Sequence, residues 1–116
     1  MNPYDKAHEL ARALKASDEY RAFLAAKEAV EADPAAKKMV QDFLRKKMEL
    51  EYEALAGKRE DEARADGLRR MYEIIALNGK AREYLDAYLR FQRTMADISK
   101  IIGEAVAGGM DIFAQE

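Results

Sequence analysis

Lys80-Ala81-Arg82-Glu83-Tyr84-Leu85-Asp86-Ala87-Tyr88-Leu89-Arg90-Phe91-Gln92-Arg93-Thr94-Met95-Ala96-Asp97-Ile98-Ser99-Lys100-Ile101-Ile102-Gly103-Glu104-Ala105-Val106-Ala107 is one uninterrupted helical pattern. Written as heptads, Ala81, Tyr88, Met95 and Ile102 share one seam position, and Tyr84, Phe91, Ile98 and Ala105 share the other. Eight successive seam positions are apolar, a period that a strand does not produce. Leu85, Leu89, Ile101 and Val106 broaden the stripe. Such a helix is ~42 Å long. A compact chain of 116 residues has a radius of gyration of ~13 Å and a diameter of roughly 35 Å. The helix would overhang that globule with its seam still apolar, and a second copy of the chain is the simplest cover. Tyr84, Tyr88, Phe91, Met95, Ile98 and Ile102 are therefore predicted to form an oligomer interface. The series Tyr84, Tyr88, Phe91 reads as helix packing rather than a ligand box.

Outward from this helix, Pro, Gly and capping residues divide the chain. Asn2-Pro3 is an N-cap followed by Pro at the first helical position, and it predicts a helix over about 3–16. Ser17 with Asp18 and Glu19 opens a second over about 18–32. Asp33-Pro34 opens a third over about 34–56, with Gly57 as its C′ residue. That helix carries two apolar flanks. Ala36, Met39, Val40 and Phe43 lead one; Leu44, Met48, Tyr52 and Leu55 form the other, so two packing partners are expected. A fourth helix spans about 61–77, with Gly67 inside it, and Asn78-Gly79 leads into the fifth, about 80–107. Gly108-Gly109 is expected to stop that helix and leave a short flexible tail over about 108–116. The connections are short, which predicts antiparallel neighbours in an all-α, five-helix bundle forming one domain over 1–116.

Composition agrees with that class. Ala, Glu, Lys, Leu and Arg make up about 56% of the chain, above the ~50% that marks long helices. Ten β-branched residues are too few for a sheet protein. No Cys is present, which excludes disulfides, thiolate metal sites, iron–sulfur ligation and Cys nucleophiles. Twenty basic and 22 acidic residues, interspersed, give a net charge of −2, without the basic excess of a dedicated nucleic-acid binder. No apolar run approaches the ~20 residues of a membrane span, and Met1-Asn2-Pro3-Tyr4-Asp5 lacks the form of a secretory signal. A cytoplasmic protein is expected.

Candidate chemistry is sparse. Asp5 and His8 share a face of the first helix, but a helical di-metal site needs two Glu-x-x-His pairs and His8 is the one histidine. Glu49, Glu51 and Glu53 resemble an acidic box, yet residues two apart on a helix point ~200° apart. Arg45 and Lys47 stand four residues before Glu49 and Glu51, so a paired, solvated face is expected. Gly103, Gly108 and Gly109 lack the strand and the Gly-Lys-Ser/Thr of a phosphate loop. No catalytic, cofactor-binding or metal residue is predicted. The alternative to an assembly module is an RNA- or DNA-binding accessory role for Arg45, Lys46, Lys47, Lys58, Arg59, Arg69 and Arg70. Acids accompany each cluster and no aromatic stacking residues interleave with them, so nucleic acid is the less expected partner.

Tyr4-Asp5-Lys6-Ala7-His8-Glu9-Leu10-Ala11-Arg12-Ala13-Leu14 with Ser17-Asp18-Glu19-Tyr20 resembles the start of the YlbF/YmcA/YheA family of small bacterial helical proteins. Arg82-Glu83-Tyr84-Leu85, Arg90-Phe91, Met95-Ala96-Asp97-Ile98 and Ile101-Ile102-Gly103-Glu104-Ala105 are similar to the family's last helix. The length is closest to the YheA-like branch. The resemblance implies a helical fold, dimeric or higher assembly and no enzymatic activity. It also implies a regulatory role connected with competence, sporulation or biofilm formation, through a complex that influences mRNA processing by ribonuclease Y. The iron–sulfur clusters of that complex are held by Cys and do not carry over to this Cys-free chain. The resemblance thus suggests a non-catalytic adaptor that binds itself and other regulatory proteins.

Overall fold

The computed structural model describes residues 2–57 and 62–112. Among them the chain forms α1 (Pro3–Lys15), α2 (Asp18–Glu31), α3 (Pro34–Leu55), α4 (Glu62–Ile75) and α5 (Gly79–Met110), with no strand. The all-α class read from the sequence is observed.

Four of these helices start on a side-chain cap. Asn2 accepts from the amide of Asp5, Ser17 from Tyr20, Asp33 from Ala36 and Asn78 from Ala81, at 2.9 to 3.2 Å. Each cap satisfies an amide that has no partner inside its helix and contributes about 1 kcal/mol. Gly57 follows α3 with φ +81°, the left-handed conformation expected of a C′ glycine. Helix ends otherwise fall within two residues of the sequence reading, except at the C-terminal end of α5. Gly108-Gly109 was expected to stop this helix, but it runs through both to Met110. A helical glycine costs only ~1 kcal/mol, and no proline follows to forbid the next turn. The tail expected over 108–116 is therefore helical as far as Met110, and residues 113–116 lie outside the described residues.

The core sits at a hub where the end of α2, the start of α3, the end of α4 and the start of α5 meet. Val30, Ala36, Val40, Phe43, Ile75, Ala81 and Leu85 are buried there as one cluster. Ala36 and Ala81 are small enough for their helices to approach closely, and both are fully buried with Leu85. α2 runs antiparallel to α5. The Phe23 ring lies 5.4 Å from that of Tyr84, 5.9 Å from Tyr88 and 5.8 Å from Phe91, while Tyr20 lies 5.3 Å from Phe91. Ring pairs at this spacing add about 0.5–1.5 kcal/mol each beyond burial. Thr94 donates to Glu19 at 2.6 Å and closes the far end of that contact.

From the hub α3 and α5 diverge as two arms. α4 folds back along α3, tied by Arg64 to both carboxylate oxygens of Glu53 at 2.5 and 2.6 Å and by Phe43 against Tyr72 at 5.9 Å. The outcome is not the compact globule expected of this length. The radius of gyration is 18.0 Å and the extents are 47 × 39 × 15 Å, against ~13 Å for a close-packed chain. The compact expectation assumes that a chain covers its own apolar surface, and this chain leaves much of it bare.

Candidate interaction site

The long α5 divides at Thr94. Up to that point it is covered: Ala81, Leu85 and Ala87 are buried, and Tyr84, Tyr88 and Phe91 are half-buried against α2. Of the six predicted interface residues, these three aromatics thus meet Tyr20 and Phe23 within the same chain. Beyond Thr94 the helix outruns α2. Met95 and Ile102 are exposed and Ile98 is half-buried, and Ile101, Ile102 and Val106 are 68%, 55% and 53% exposed.

From Met95 to Met110 the only charged residues are Asp97, Lys100 and Glu104. At 100° per residue they fall on one strip, and the rest of the circumference is apolar or small. Gly103, Gly108 and Gly109 lie on this stretch, and a Cβ built on any of them meets nothing within 4 Å.

α3 carries the second bare face. Val40 and Phe43 on its inner flank are buried, whereas Met48, Tyr52 and Leu55 on its outer flank are exposed, the first two by 65% and 73%. α3 packs against α2, α4 and α5, but among the described residues nothing covers this outer flank. A shallow groove follows this flank, lined by Gln41, Leu44, Arg45, Met48, Glu49 and Tyr52. It adjoins a recess at the hub bounded by Val30, Val40, Gln41, Leu44 and Tyr84 among others. Gln41 and Leu44 belong to both, so one apolar trough runs from the hub along α3 to Tyr52.

Titratable groups around the hub are few. Tyr84 is pushed above the usual phenol value of 10.0 by burial, with smaller contributions from Tyr88 and Glu31. Tyr72 is raised chiefly because its hydroxyl donates to Asp86, at 3.0 Å, and then by burial.

The basic clusters of the alternative reading are mixed with acids. Arg45 pairs with Asp42 at 3.4 Å, and Lys46 approaches Glu49 at 3.9 Å. Lys47 pairs with Glu51, as the spacing predicts. Arg69 meets Asp66 at 3.4 Å and Glu73 at 4.0 Å, and Arg70 is exposed. Lys58 and Arg59 lie outside the described residues. Glu49, Glu51 and Glu53 do not converge: Glu51 serves Lys47, while Glu53 and, at 3.9 Å, Glu49 serve Arg64. Asp5 and His8 are both exposed on α1. Among the described residues no three His, Cys, Asp or Glu side chains gather as a metal-holding group. No described helix is long and apolar enough to cross a membrane.

The sequence pattern of the family described as control of competence regulator ComK, YlbF/YmcA, matches residues 4–107. A UPF0342 protein of Symbiobacterium thermophilum is 46% identical over 103 residues, covering 89% of this chain and 92% of that one. A UPF0342 protein of Caldicellulosiruptor saccharolyticus is 47% identical over 105 residues, covering 90% and 88%. A third, from Desulfitobacterium hafniense, is 42% identical over 106 residues, covering 91% and 86%.

Proposed function

The chain belongs to the YlbF/YmcA family, and from that premise we propose that it is a non-catalytic helical adaptor of the bacterial cytoplasm that works as a homodimer or higher assembly. The family is linked to competence regulation. This chain's role is to present helical surfaces to other regulatory proteins, in competence or in the related control of sporulation, biofilm formation and mRNA processing.

The observation that carries the reading is surface area. The chain exposes 9372 Å², whereas a compact monomer of 13.2 kDa exposes about 6,400 Å². The excess, about 3,000 Å² per chain and so about 6,000 Å² for two, is ample for the roughly 2,000–5,000 Å² or more that obligate homodimers bury over both partners. A contiguous part of its apolar surface lies on the last half of α5, so Met95, Ile98 and Ile102 are the inter-chain half of the predicted seam. Tyr84, Tyr88 and Phe91 set that half in place by fixing α5 on α2. The ion pairs at Arg45, Lys46, Lys47 and Arg69 support a protein partner over a nucleic-acid one.

The test is Ile102→Glu, read by light scattering on a sizing column. Ile102 faces solvent in the single chain, so the variant keeps its helix content while a carboxylate at the interface would be desolvated without a partner. The parent is expected at twice the chain mass or more, and the variant at the mass of one chain. A variant that retains the parent's mass overturns the reading.

A further inference from the structure

We infer that the trough along α3 is the seat for the last half of α5 from a second copy of this chain, each α5 lying in the other's trough. The inference rests on the self-association proposed above and says what lies opposite α5. Three observations carry it.

The first is the width of the bare face on α5. A surface helix covered from one side shows an apolar stripe ~100° wide, with charge opposite. From Met95 to Met110 charge occupies one narrow strip, at Asp97, Lys100 and Glu104. One neighbouring helix leaves much of such a surface wet, so two must lie against it. A two-fold axis that brings two α5 arms together supplies one neighbour. The partner's α3 is the other long helix of the chain with a bare apolar flank.

The second is the match of the two faces. Leu44 to Leu55 spans ~17 Å and Met95 to Val106 also ~17 Å, at 1.5 Å per residue. Both follow three-and-four spacing: 44, 48, 52, 55 against 95, 98, 102, 106. Run antiparallel, Leu44 meets Val106, Met48 meets Ile102, Tyr52 meets Ile98 and Leu55 meets Met95. The tip of α5 then enters the hub end of the trough, beside Val30 and Tyr84. Since α3 and α5 diverge from one hub, two copies clasp arm into notch, and each contact is repeated by symmetry.

The third is the glycines. Gly103, Gly108 and Gly109 lower the stability of their helix by ~1 kcal/mol each against Ala, yet among the described residues nothing beyond their own stretch of helix comes within 4 Å of where a Cβ would stand. Close approach by a neighbour from another chain gives them a use, with helix backbones packed nearer than larger side chains permit.

Met48 tests the seat without touching α5. It is exposed in the single chain, so Met48→Glu leaves the fold intact. The expected result by light scattering is a dimer weakened at least a hundredfold in Kd, with unchanged helix content by circular dichroism. The occupant is identified by cross-linking. The chain has no Cys, so Met48→Cys and Ile102→Cys variants, co-refolded and oxidised, are expected to give a covalent heterodimer. Met48→Cys mixed with Lys100→Cys, on the charged strip of the same helix, should not. If Met48→Glu keeps the parent's mass and the 48–102 adduct is no stronger than the control, the seat is wrong. In that case Ile102→Glu still reports on self-association, because a monomer there leaves the α5 interface standing and rejects α3 alone.

Discussion

The first and last halves of α5 have the same apolar period but opposite surroundings. The first half rests on α2 and the hub, with Ala81 and Leu85 fully buried and three aromatics interleaved with Phe23 and Tyr20. The last half carries Met95, Ile101, Ile102 and Val106 into solvent. The difference lies in composition as well as length. Rings fill the first half, where α2 stands at a fixed distance, and glycine and alanine are frequent in the second, where the described residues provide little cover. Periodicity marks a surface that must be covered, while the sizes of the residues hint at how close the cover comes.

Substitutions can break this contrast. The largest effect is expected in the first half. Leu85→Ala removes a fully buried side chain and should cost about 2–5 kcal/mol, enough to lower the urea midpoint sharply. Ile101→Ala, placed in the Ile102→Glu monomer, should change the unfolding free energy read from the same titration by no more than about 0.5 kcal/mol, because exposed changes rarely exceed that. Equal costs at the two positions would mean that the second half packs within its own chain after all.

A smaller effect sharpens the contrast in the other direction. In the same monomeric background Gly103→Ala should stabilise the last half of α5 by about 1 kcal/mol. Hydrogen exchange would show it as a roughly fivefold slowing of amides near residue 103, with amides near Leu85 unchanged. In the otherwise unaltered chain the same methyl group intrudes between helices and should weaken assembly.

The smallest effect concerns the α4–α5 tie. Tyr72 is raised above 10.0 by its hydrogen bond to Asp86. Its neutral form is the one the fold favours, so the contribution is complete below pH 10 and is lost as the pH rises through the folded value. Tyr72→Phe should flatten the alkaline limb of a melting-temperature profile while leaving the profile near neutrality almost level.

Much of the fold was legible because it is written in local signals. Asn2, Ser17, Asp33 and Asn78 cap their helices from within three residues, and such signals need no tertiary knowledge. Gly108-Gly109 was misleading for a related reason: glycine weakens a helix without forbidding it, so a stop requires something further along the chain. The site was legible as residue types but not as a location. Tyr84, Tyr88 and Phe91 share a seam with Met95, Ile98 and Ile102, and only the length of α2 decides which of them it reaches. The outer flank of α3 was visible as a second stripe, but a stripe does not say whether its cover comes from the same chain or another. The expected globule failed for the same reason, since scaling laws for compact chains presume self-coverage.

The 15 Å thickness of the molecule has a calorimetric consequence. The heat capacity gained on unfolding comes mainly from newly wetted apolar surface, about 12–15 cal/mol/K per residue in ordinary domains. A slab this thin has little dry interior to expose, so a single chain should unfold with a heat-capacity change below that range and a shallow denaturant slope. Its stability curve would be broad and low, changing little between cold and warm. Pairing two chains adds the missing apolar burial in one step, which steepens both quantities together, and a thermogram recorded at rising protein concentration would pass from one regime to the other.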